Sequence, residues 1–146
     1  MQHHLILRIV TKSLVGIILL FGLYVQFHGD YSPGGGFQAG VIFAAGFILY
    51  GIVMGLDKVQ SVLPFWVVQK LSALGVLLYA LTGVFSLFMG FNYLDYSAFS
   101  PQHPEHGQHW GILIVELGVG ITVTGVIICI YYCFASRTPH IDDGEW

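Results

Sequence analysis

The chain has 146 residues, of which 55% are hydrophobic and only 9% charged, with a formal net charge of −3. Soluble domains carry about 25% charged residues. This composition, with a mean hydropathy of +0.76, therefore excludes a water-coated globule and points to lipid as the solvent. The weak negative balance offers no basic surface for nucleic acid.

Four apolar runs follow one another, each offering roughly the 20 residues that a spanning helix needs. The first covers about Leu5 to Phe27. It is too long for the apolar region of a secretory signal and lacks a small-residue cleavage pattern. The second covers Phe37 to Leu56, the third Trp66 to Phe91 and the fourth Trp110 to Phe134. Trp66 and Trp110 suit membrane interfaces. The remainder, 135–146, is a short polar tail. Cys129 and Cys133 lie one helical turn apart, a poor geometry for a disulfide, and read as small apolar residues. The expected fold is an all-α membrane protein: one domain over 1–146 with four transmembrane helices.

All five basic residues fall on one side of this arrangement. Arg8 and Lys12 sit near the start of the first span, Lys58 and Lys70 around the second connection, and Arg137 after the fourth span. The positive-inside rule then places both termini in the cytoplasm. The first connection and the loop from Asn92 to His109 face outside. Lys12 and Lys70 are positioned to snorkel, and are candidates to pair with a carboxylate of another subunit.

Between the first two spans lies HGDYSPGGGFQAG, His28 to Gly40. Its GGGFQA matches the loose dinucleotide pattern G-x-G-x-x-G/A. That pattern needs a preceding strand and a βαβ unit, whereas an apolar helix precedes it here. No Gly-Lys-Ser/Thr follows, so it is not a P-loop. The residues read better as backbone geometry. Pro33 breaks the first helix, Gly34, Gly35 and Gly36 permit positive φ, and the short link makes an antiparallel hairpin. The N–H groups entering the second helix are free to face an anion or a carbonyl.

At 100° per residue Gly36, Gly40, Ala44, Gly51 and Gly55 share an arc of about 100°. Gly51 and Gly55 form G-x-x-x-G. Such small-residue stripes let membrane helices approach closely. The stripe is expected to meet another subunit, with this chain's own helices as the alternative. Ser72, Gly75, Tyr79, Gly83, Ser86 and Gly90 line one side of the third span, and Glu116, Gly120 and Thr124 step along the fourth.

Glu116 is the only acidic residue inside the four apolar runs. An intramembrane carboxylate costs several kcal/mol unless paired, hydrated or protonated. It is a candidate for an ion path, with a structural hydrogen-bonded carboxylate as the alternative. His28 and Asp30 add protonatable groups on the outer side. His103, His106 and His109 are spaced by three, but Pro104 and Gly107 disfavour a helix that would align them. A solvated loop is expected there rather than a metal site. No catalytic constellation and no haem or iron–sulfur pattern is visible, so neither an enzyme nor a cofactor is expected.

PGGGFQAG in its helix–loop–helix setting, with ELGVG early in the last span, resembles the B subunit of Mrp-type multisubunit cation/proton antiporters, the MnhB family. The resemblance covers nearly the whole chain. It implies a subunit of a hetero-oligomeric secondary transporter in the bacterial inner (plasma) membrane, whose complex exchanges Na⁺ for H⁺. Pro33, Gly34, Gly35, Gly36 and Gly40 would be the signature loop and helix start, and Glu116 the acidic residue of the last helix. B-like modules also belong to membrane-bound hydrogenase-type complexes, so a membrane-arm subunit of a redox-driven complex is the alternative. A stand-alone transporter is disfavoured, because one carboxylate and no internal repeat give little from which to build alternating access.

Overall fold

A computed structural model describes residues 2–29, 33–100 and 102–137. Among them the regular structure is helical: α1 (Gln2–Phe27), α2 (Gly36–Met54), α3 (Leu56–Val62), α4 (Phe65–Phe88) and α5 (Pro104–Ala135). A 3₁₀ turn, Tyr96–Phe99, lies between α4 and α5. The stretches Leu5–Phe27, Gly36–Met54, Phe65–Phe88 and Glu105–Ala135 are long and apolar enough to cross a membrane.

Helix α5 organises the bundle. Both α2 and α4 pack along it, α1 packs mainly along α2 and also touches α5, and α3 folds against the end of α2. Its 32 residues run about 48 Å at 1.5 Å per residue, longer than the ~30 Å hydrocarbon core of a bilayer. The buried apolar cluster sits near one end, where Ala44, Val59, Val68, Ile128 and Tyr132 meet. There the Tyr132 hydroxyl donates to the Leu63 carbonyl at 2.9 Å, so the α3–α4 connection is pinned to α5. Helix α1 lies at the edge and leaves Leu5, Ile9, Ile17 and Leu20 exposed. Its packed face is set by Gly22 against Ile42 and Phe43, and by Gly46 of α2 against Ile18 and Leu19.

Three boundaries differ from the sequence expectation. The third span ends at Phe88 rather than Phe91, because Gly90 takes φ +82° and turns the chain. The second connection holds α3, a two-turn helix absent from the sequence reading. Most importantly, residues 104–109 are helical rather than loop, and α5 starts six residues before Trp110. Proline is well tolerated at the first helical position, where its missing N–H has no intrahelical partner to lose. Gly107 does not break the helix; it makes room for the Tyr96 carbonyl, and Gly111 one turn later for the Tyr96 ring. Burial there, with Tyr79 nearby, pushes the Tyr96 phenol above its ordinary range.

Candidate functional site

The glycine stretch folds back onto α5, over Glu116. Gly35 caps α2 with φ +135° and ψ −179°, a conformation essentially reserved for glycine. Its carbonyl accepts the Ala39 N–H at 3.0 Å and opens the helix. Gly35 itself offers no side chain to cap this end. Glu116 brings a carboxylate to it from α5. A Cβ at Gly35 would lie 2.9 Å from Glu116 Oε1; one at Gly29 would lie 2.7 Å from Oε2 and 2.8 Å from Oε1. At Gly36 a Cβ would collide with the Glu116 main-chain carbonyl. The glycines are thus an absence of side chains around one carboxylate. The partial positive charge of a helix N-terminus complements a carboxylate at such a place.

The close approach continues down the α2–α5 seam. Gly40 faces the Gly120 carbonyl, with 2.7 Å to a Cβ placed there, and Gly120 faces the Gly36 carbonyl at 3.1 Å on the same measure. The Thr124 hydroxyl can donate to the Gly120 carbonyl at 2.7 Å or across the seam to the Gly40 carbonyl at 3.2 Å. Further along, Gly51 lies under the Tyr131 ring. Helix α4 meets the other side of α5 similarly, with Gly75 against Thr122 and Gly118, and Gly125 against Ser72.

This geometry corrects the partner assignment of the α2 stripe. Gly36, Gly40 and Gly51 are covered by α5 of the same chain, so that face is not open to another subunit. Gly55 leaves the packing motif altogether. It is exposed, with no atom within 4 Å of a Cβ placed on it and φ +98°, and forms the joint between α2 and α3. The G-x-x-x-G spacing therefore contains one packing glycine and one turn glycine.

The remaining candidates are dispersed. Pro33 is exposed at the loop, and Gly34 lies against the Val25 carbonyl. The His28 ring stacks on Tyr24 at 4.1 Å between centroids. Asp30 lies outside the described residues. Lys12 is exposed on α1, and the exposed Lys70 holds its ammonium 4.7 Å from the Trp66 ring centre. His103 precedes α5 and His106 and His109 ride its first turns, all exposed, with the His103 and His106 rings 6.0 Å apart and edge-on. Among the described residues no three His, Cys, Asp or Glu side chains gather as a metal group. The sequence reading missed Gln26, which is 7% exposed and brings its Oε1 over Gly120. Its signal was available: a lone amide in an apolar span belongs against protein.

The loop and Glu116 both fall within residues 6–129, which match the family described as a domain related to the MnhB subunit of Na⁺/H⁺ antiporters. The chain belongs to this family. It is 38% identical over 131 residues to a protein of Staphylococcus haemolyticus (strain JCSC1435) named antiporter subunit mnhB2, covering 88% of this chain and 92% of that relative. It is 36% identical, with the same coverage, to the protein of that name in Staphylococcus aureus (strain Newman). The MnhB domain thus includes both halves of the carboxylate site.

Proposed function

We propose that this chain is an integral-membrane subunit of a multisubunit Na⁺/H⁺ antiporter that scaffolds its neighbours and lines part of an ion path at Glu116. One observation carries the site: the only acidic residue of the apolar runs lies against the backbone of the glycine loop at a helix start. A carboxylate kept among backbone groups suits the transient holding of a proton or cation better than burial among apolar side chains. The names of the relatives favour an antiporter over a redox-driven complex.

In this reading the four spans lie in a bacterial plasma membrane with both termini cytoplasmic, following the bias of Arg8, Lys12, Lys58, Lys70 and Arg137. Helix α5 holds the carboxylate, and α2 presents the loop that covers it. Lys12 and Lys70 remain available for carboxylates of neighbouring subunits. The complex, not this chain alone, moves Na⁺ and H⁺. Everted vesicles containing the complete complex, or the complex without this chain, test the assignment through Na⁺-dependent ΔpH. Loss of the response without the chain supports it; an unchanged response refutes it.

A further inference from the structure

An open groove of about 730 Å³ runs between α4 and α5. Ala73, Val76, Val126 and Ile130 line it and are exposed. The two hydroxyls of its wall are already committed within their own helices. Ser72 donates to the Val68 carbonyl at 3.0 Å, and Thr122 to the Gly118 carbonyl at 2.8 Å. The wall therefore offers an occupant mainly hydrocarbon contact. One end of the groove reaches Gln69, near the start of α4, and Cys133 and Phe134, at the end of α5.

Two cations stand at that end. Lys70 lies three residues before Ala73 and so shares its side of α4. It is exposed, with its ammonium 4.7 Å from the centre of the Trp66 ring. Tryptophan is enriched at the level of lipid headgroups. Arg137 is exposed three residues after Phe134, and its N–H donates to the Phe134 carbonyl at 3.1 Å, so the chain still turns there.

We propose that the groove holds an acyl chain of an anionic phospholipid whose phosphate is met by Lys70 and Arg137. Apolar walls between spanning helices, with basic residues at the end that the positive-inside rule gives to the cytoplasm, are the combination that recognises such a lipid. A zwitterionic lipid would fill the groove as well but bring its own cation to the two basic residues. A neighbouring helix would have to bring a carboxylate to the same level, and the wall hydroxyls are spent and cannot fix its register. The inference rests on the spanning reading above. It gives Lys70 a lipid phosphate as its anion and leaves Lys12 for a neighbouring carboxylate.

The test reconstitutes the complete complex in phosphatidylcholine nanodiscs containing a trace of one lipid with a photoactivatable diazirine in its acyl chain. That lipid is either phosphatidylglycerol or phosphatidylcholine, and adducts on this chain are mapped by mass spectrometry. Phosphatidylglycerol adducts on the groove residues should exceed phosphatidylcholine adducts by about fivefold or more. Lys70→Gln and Arg137→Gln should each lower the phosphatidylglycerol yield by roughly fivefold and leave the phosphatidylcholine yield unchanged. Equal yields from the two lipids, a yield indifferent to both substitutions, or a groove free of lipid adducts, as beneath a neighbouring helix, would overturn the proposal. If a substituted complex does not assemble, the comparison of the two lipids on the native complex decides alone. The readout is lipid contact rather than transport. A negative result here therefore leaves the antiporter reading standing, and an unchanged ΔpH without the chain leaves the lipid site standing.

Discussion

Gly36 lies directly against Glu116: the first residue of α2 touches the main-chain carbonyl of the acidic residue of α5. Two helices that are 80 residues apart in sequence are registered at this point. Because the contact is to backbone, it cannot be relieved by a rotamer change.

Gly36→Ala should therefore destabilise the chain by about 1–3 kcal/mol or more, through overpacking. Gly16→Ala is the contrast. Gly16 is exposed in α1 with nothing within 4 Å of a Cβ, so the change should be neutral or stabilise by up to ~1 kcal/mol through helix propensity. Thermal midpoints of the detergent-solubilised complex separate the two.

Gly55 predicts a different pattern. Its φ of +98° strains any L side chain, at a cost on the order of 1–3 kcal/mol. The space around it is empty. Gly55→Ala and Gly55→Leu, neither of them β-branched, should therefore destabilise similarly in the same thermal assay. A markedly worse leucine would return Gly55 to a helix-packing role.

Much of this architecture was legible in the sequence, because spanning helices announce themselves by length and apolarity. The four runs at Leu5, Phe37, Trp66 and Trp110 correspond to the four long helices. What spacing could not say is which neighbour a small residue meets. The arc from Gly36 to Gly55 fits a partner subunit and α5 equally well, and only the three-dimensional path shows α5. Residues 104–109 were misread because Pro and Gly are helix breakers on average; position and packing reversed both, with Pro104 opening α5 and Gly107 lying beneath Tyr96. Glu116 stood out by charge alone, but its approach to Gly29 and Gly35 depends on a chain reversal that no local pattern encodes.

Tyr132→Phe removes the hydrogen bond to the Leu63 carbonyl and leaves the ring in the buried cluster. The expected loss is about 1 kcal/mol, read as a lower thermal midpoint. Transport per assembled complex should be unchanged, because this anchor lies at the end of the bundle away from the glycine loop. Loss of transport at full assembly would tie that end to the ion path.

The most direct measurement is Na⁺-dependent ΔpH in everted vesicles carrying the complete complex with Glu116→Gln, normalised to assembled complex. The substitution keeps the side chain's shape and one carbonyl acceptor but removes its ability to carry charge. The account predicts at least about a tenfold loss of the response, equivalent to ~1.4 kcal/mol, with subunit assembly intact. Full activity in an assembled Glu116→Gln complex would contradict it, leaving Glu116 as a structural partner of the glycine loop.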